Sequence, residues 1–234
     1  MIPSRSLSCL PAKTRVPRSG ANKPRRRRLS TGLAALVALA LGGGLLAGCA
    51  TLGSRSDLYS LSAPTSTGAG PTVSWQLLVD SINAPAGLDT TSIAVRQRPA
   101  SLDYYEGVAW TDRAPVMMQR LMVETFENTG RITGVGRQSV AIRANFILRC
   151  ELRDFQSDTT GSGPPVAVVR TSCALIRMPE RDIIARESHT GQAPAAGTRF
   201  AEVIAAFNRA TDDALTQIAR WALSSGDRHF PGEG

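Results

Sequence analysis

The chain has 234 residues and a formal net charge of +8, from 27 Lys and Arg against 19 Asp and Glu, a balance that taken whole points to a nucleic-acid or anionic-membrane partner. Nine of the basic residues and none of the acidic ones precede Cys49, so residues 49–234 carry 18 basic against 19 acidic and contain no lysine. Arginines scattered singly along a near-neutral segment form a solvated surface rather than a phosphate-binding stripe, which sets nucleic-acid binding aside.

Residues 1–48 read as a leader. A basic run, "KPRRRRLS", precedes an apolar one, "LAALVALALGGGLLAG", in the order of a secretory signal. The apolar run is short for a bilayer span, which takes about 17–25 residues, and its three consecutive glycines weaken it as a helix. Cleavage is therefore expected over an uncleaved signal anchor, and the positive charge ahead of the run sends everything after Cys49 outward. Leu46, Ala47, Gly48 and Cys49 match the lipobox of bacterial lipoproteins, directly after the apolar run. A cysteine is needed there because a thiolate is the side-chain nucleophile that accepts a diacylglyceryl group near neutral pH. The resemblance implies a thioether-linked diacylglycerol on Cys49, cleavage after Gly48, and an acyl chain such as palmitate on the freed amine; no other cofactor is expected. At about 0.8 kcal/mol per buried methylene, one acyl chain binds only marginally, whereas two or three anchor durably. Ala50 stands where an inner-membrane retention signal has aspartate, so the same resemblance implies the periplasmic leaflet of the outer membrane over the inner membrane.

Residues 49–72 are rich in Ser, Gly, Thr and Pro and read as a lipidated tether, interrupted by "DLYSL" as one short edge strand. The folded part is expected over residues 73–224, enough for one domain with a single core. "VSWQLLVDSI" has the apolar, β-branched character of a central strand, and "SIAVRQR" follows as a second after the turn "NAPAGLD". "TDRAPVMMQRLMVETFENTG" carries helix signals: Asp112 as cap, Pro115 in the first turn, Gly130 beyond the end, and Met118, Leu121, Met122 and Phe126 on one face. "RITGVGR" reads as a short strand. In "ANFILRCELRDFQSD", Phe146, Leu148, Cys150 and Leu152 alternate with Arg149, Glu151 and Arg153, the period of an antiparallel strand with one wet face. "VAVVRTSCALIRM" and "IIARESHTG" complete a meander. Phe200, Val203, Ile204, Phe207, Ala214, Leu215, Ile218, Trp221 and Ala222 mark a helix over residues 198–223, before a flexible tail at 225–234. The expected fold is a single α+β domain with a mixed, mostly antiparallel sheet and two amphipathic helices packed on it.

A hairpin centred between Gly161 and Ser162 puts Cys150 opposite Cys173. Cross-strand β-carbons stand about 4.5–5.5 Å apart, so the pair is either a disulfide, which an oxidising compartment permits, or two buried thiols. Catalysis has little support. His189 and His229 have no metal-ligand spacing, no nucleophile signature accompanies them, the "GVGR" glycines suit a bulge, and Asp212 and Asp213 point apart on a helix. Tyr104, Tyr105 and Trp110 gather before the first helix, as a partner contact or as a plug for the end of the sheet.

With the lipobox followed by "LYSL", "YYEGVAWTDRAPVMMQRLMVETFENTG", "LRCELRDFQSD" and "FAEVIAAFNRATDDALTQIARWAL", the chain resembles the ABC-type transport auxiliary lipoprotein family. The resemblance implies an accessory, non-enzymatic part of a lipid transporter, working with a permease, an ATPase and an MCE-domain (mammalian cell entry) periplasmic protein, with membrane lipid as cargo and homo-oligomers among the family's arrangements. A lipoprotein binding a small hydrophobic ligand by itself and a structural envelope protein are the competing readings.

Overall fold

The computed structural model describes residues 56–65, 70–137 and 143–230. Leu46, Ala47, Gly48 and Cys49 lie outside the described residues. One sheet holds eight strands: β1 (Asp57–Tyr59), β2 (Val73–Val79), β3 (Ser92–Arg96), β4 (Asp103–Trp110), β5 (Ile132–Arg137), β6 (Phe146–Asp158), β7 (Val166–Arg177) and β8 (Asp182–Pro194). Two helices, α1 (Ala114–Asn128) and α2 (Phe200–His229), complete a single α+β domain.

Strand β6 is the spine. Along one edge it pairs antiparallel with β7, and β7 in turn with β8, which is the expected meander. Its other edge is shared. β2 lies parallel to its first residues (Leu77 opposite Phe146), and β3 lies parallel to its last (Arg96 opposite Asp158). Asn83 fills the gap, taking Leu152 N–H on its carbonyl at 2.8 Å and giving its own N–H to Cys150 at 3.3 Å. Because β2 and β3 run end to end along the same edge, no crossover helix is needed between them. β5 extends the sheet beyond β2, and β4 and then β1 extend it beyond β3. The long ladders are antiparallel, while the short ones at β1, β2, β3 and β5 include four parallel pairs.

Phe146, Leu148, Cys150 and Leu152 face inward as their alternation predicts, but a bulge between Leu152 and Asp154 then inverts the parity. One extra residue moves every later side chain to the opposite face, so beyond it Phe155 and Ser157 face the core, and Gln156 between them is buried as well. The same bulge sets the pairing. Near the loop the hairpin is centred on Ser162, with Asp158 opposite Val166, and past the bulge the register moves by one, leaving Cys150 opposite Cys173. The structure joins these two cysteines as a disulfide across β6 and β7.

Both helices cover the inner face. Met117, Met118, Leu121, Met122 and Phe126 of α1 join Trp75, Leu77, Phe146 and the apolar face of α2 in one core. α1 begins one residue later than an Asp112 cap requires. Arg113 is the N-cap, with no side-chain cap bond, and Pro115 occupies the first turn, where its missing N–H costs nothing. Gly130 follows the helix with a φ of +60°, as expected of a residue ending a helix in the left-handed region. α2 runs six residues past Leu223. "SSGDRH" looks like a tail because it is small and polar, yet Ser225 and Gly226 are buried and Gly226 lies against the Trp75 ring. Residues 225–229 are therefore helix, not tail, and Phe230 meets Phe146 edge-on at 6.3 Å.

Candidate functional site

The aromatic group divides on folding. "DYYEGVAW" is a strand, β4, hidden in the sequence by its acidic residues and by Gly107, whose φ of +72° interrupts the alternation. Trp110 does not belong to a contact surface: it is 1 % exposed and packs against Phe155 and Phe207 at 5.4 and 5.2 Å. Tyr105 also turns inward, edge-on to Phe200 at 5.0 Å, its hydroxyl bonded to Ser157 Oγ at 3.1 Å. Tyr104 faces out, 42 % exposed, and donates to the Gly87 carbonyl at 2.9 Å.

Direct handling of a lipid cargo would need an apolar groove, and the interface between α2 and the sheet is filled. Ala206, Phe207, Ala210, Ala214 and Ile218 are fully buried there, and the α2 backbone at Ala210 rests on Gly191 of β8. Side chains of α2 also reach the β8 backbone, with Gln217 Nε2 donating to Thr190 O at 3.0 Å and Arg209 Nη2 to Pro194 O at 2.6 Å. His189 lies in the same layer, its ring 5.2 Å from that of Trp221 and its Nε2 without a hydrogen-bond partner among the described residues. Burial pushes its pKa down, against the smaller pull of Glu187, so it is a neutral core histidine. Burial likewise raises Asp212.

Two concave features lie on the outer face instead. A trough of about 660 Å³ is lined by Arg96, Asp154, Asp158, Val168, Arg170, Gln192 and their neighbours. Its charges are matched: Arg96 Nη2 meets Asp158 Oδ2 at 2.9 Å and Arg170 Nε meets Asp154 Oδ2 at 2.5 Å. Burial alone would raise the Asp158 carboxyl, but the Thr160 hydroxyl and N–H, at 2.7 and 2.9 Å, and the Arg96 charge outweigh it and hold the group below its ordinary range. A trough of compensated ion pairs offers hydrogen bonds to a polypeptide and little to an acyl chain. The sequence pattern concealed it because Asp154 belongs to this face only after the Arg153 bulge. Among the described residues no group of His, Cys, Asp and Glu is placed to hold a metal ion, and no helix is long and apolar enough to cross a membrane.

Residues 59–219 match the family model described as the ABC-type transport auxiliary lipoprotein component. No curated protein matches the chain. A solved structure from Xanthomonas campestris, of the family model DUF330, is 31% identical, with 74% of this chain and 98% of that chain covered and a TM-score of 0.70. A second, titled only as an uncharacterized protein, has 12% identity, covers 71% of this chain and 98% of its own, and has a TM-score of 0.56, a likeness of fold alone. The family points to a non-catalytic role. By the family match and by its relative from Xanthomonas campestris, the chain belongs to the ABC-type transport auxiliary lipoproteins.

Proposed function

We propose that the protein is the lipid-anchored periplasmic accessory component of an ABC transporter of the MCE type, held at the outer membrane by Cys49 and docking the periplasmic end of that transporter. The observation that carries this is the family match over residues 59–219 immediately downstream of the lipobox at Cys49. The mechanism is positional. Two or three acyl chains fix the domain at one membrane, and attachment raises the effective concentration of a modest protein contact. The outer face of β6, β7 and β8 is the surface available for that contact. Arg149, Glu151, Arg153, Arg170 and Arg186 are exposed on it, and it is not covered by α1 or α2. A filled helix–sheet interface favours docking over cargo binding within the domain.

The experiment is co-purification of the full chain with an MCE-domain protein encoded beside an ABC permease and ATPase. Capture by the native chain, and its loss in an Arg153→Glu/Arg186→Glu variant of unchanged melting temperature, is the expected result. Bound lipid with no protein partner refutes the docking role in favour of a stand-alone ligand-binding lipoprotein.

A further inference from the structure

We propose that the smaller concavity of the outer face, a groove across β7 between Arg149 and Arg186, takes an acidic loop of the protein partner, with a carboxylate seated over Ala174 and an apolar side chain on Ile183. This rests on the reading that the outer face docks a periplasmic protein. The register builds the groove. Arg149 on β6 stands opposite Ala174 on β7, and Ala174 opposite Arg186 on β8. Two arginines therefore flank a single methyl group, on strands about 10 Å apart at two spacings of about 4.8 Å. Two residues along, Glu151, Ser172 and Ser188 form the next row in the same way. Long side chains on β6 and short ones on β7 leave a space of about 360 Å³, with Arg153 and Asn83 on its rim. That is the size of a small-ligand pocket, roughly 300–1,000 Å³, and it holds a few side chains of a loop.

Charge separates this groove from the larger trough. In the trough Arg96 and Arg170 are matched by Asp158 and Asp154. In the groove Arg149 is matched by Asp80 at 3.0 Å and Arg153 by Glu151 at 3.2 Å, but Arg186 has neither an ion pair nor a side-chain hydrogen bond among the described residues. Glu187, next to it in sequence, stands in the row of Cys173 and so belongs to the other face of β8. The groove is left with an excess of one positive charge. A carboxylate over Ala174 meets a guanidinium from either side, and the planar fork of arginine matches a carboxylate with two parallel hydrogen bonds.

The row on the other side of the arginines is apolar. Ile147, Ile176 and Ile183 stand opposite one another across β6, β7 and β8. Ile176 is 6 % exposed between its neighbours, whereas Ile183 is 55 % exposed. An apolar side chain adjoining the carboxylate takes Ile183 out of water and places the ion pairs at the rim of a drier contact. A phospholipid could offer its phosphate to the same arginines, but its acyl chains would then lie across Glu151, Ser172 and Ser188, which give them no apolar surface. A peptide suits that row, because its backbone N–H groups can donate to Glu151 and to the serine hydroxyls.

The test uses the full chain, processed in cells, and the MCE-domain protein encoded beside the permease and ATPase. Binding by the native chain is expected to weaken as salt rises, and Arg186→Gln to raise the Kd about tenfold. Ala174→Glu places a carboxylate of the chain's own in the seat and is expected to weaken binding as much, at unchanged melting temperature; if it does not fold, Arg186→Gln, at an exposed position, decides alone. A benzophenone carried on Ser188→Cys is expected to cross-link to a peptide of the MCE-domain protein that contains Asp or Glu, several-fold more than one on Gln192→Cys in the trough. Native-strength binding by Arg186→Gln overturns the groove and leaves the docking role standing. Cross-linking from position 188 to phospholipid overturns the peptide occupant. A native chain that does not bind the MCE-domain protein overturns the docking role, and this proposal with it.

Discussion

Replacing Gly191 with alanine tests whether α2 is seated on the sheet as tightly as the structure requires. A β-carbon at this position of β8 would stand 2.9 Å from the Ala210 carbonyl carbon and from the Ala214 nitrogen, and closer still to the Ala210 oxygen. All three are backbone atoms of a 30-residue helix, so no side chain can swing away. Overpacking of a close-packed core costs about 1–3 kcal/mol, and an obstruction made of helix backbone belongs at about 2–3 kcal/mol, because relief needs the whole element to lift. At about 2–4 °C per kcal/mol for a domain of this size, the melting temperature falls by about 4–12 °C. Thermal unfolding of the full chain, followed by circular dichroism, reads this directly. Gly161→Ala is the control: a β-carbon there meets nothing within 4 Å, and a change within about 0.5 kcal/mol is expected. If Gly191→Ala unfolds within that same margin, α2 is not pinned at Ala210. The argument that the helix–sheet interface leaves no room for lipid then fails with it.

Cys49→Ser is expected to leave a domain of unchanged melting temperature that fractionates with soluble protein and no longer supports transport; full transport by the unacylated chain refutes the positional mechanism. Cys150→Ser/Cys173→Ser opens a link across 23 residues, and loop entropy sets the loss at about 3 kcal/mol, measured as a drop in the urea midpoint of the unreduced protein. His189 is pushed below the ordinary histidine value by burial, so the unfolded chain binds the extra proton first. Its contribution to stability is complete above about pH 6.5 and is lost as pH falls toward the folded value. The unfolding midpoint should therefore fall less between pH 7.5 and 5.5 in His189→Phe than in the native chain, and identical slopes would place the acid sensitivity elsewhere.

Much of the fold was readable because its signals are periodic. Phe146 to Leu152 alternate as an exposed-face strand must, and the Met118 to Phe126 spacing puts α1 on the core. What escaped was decided by contacts distant in sequence. The bulge after Leu152 leaves no compositional mark, yet it turns Asp154 outward to meet Arg170 and so builds one wall of the trough. "SSGDRH" has poor helix propensity, and it is helical because Gly226 lets Trp75 approach the α2 axis. Trp110 looked available beside two tyrosines, and only the placement of Phe155 and Phe207 from far along the chain shows that it is core.

The two faces of the sheet therefore have different capacities. On the inner face the side chains of Trp75, Phe146, Phe155, Phe207 and both helices have already spent their apolar surface on each other, so a ligand entering there would have to displace packing worth several kcal/mol. The outer face carries pairs such as Arg153–Glu151, half-exposed on both sides and worth about 0–1 kcal/mol, which a partner's own hydrogen bonds can replace at little cost. A domain arranged in this way gives up almost nothing to dock a protein on its outer face and a great deal to take lipid into its core. On the proposed reading, its part in transport follows from where it is held and what it touches.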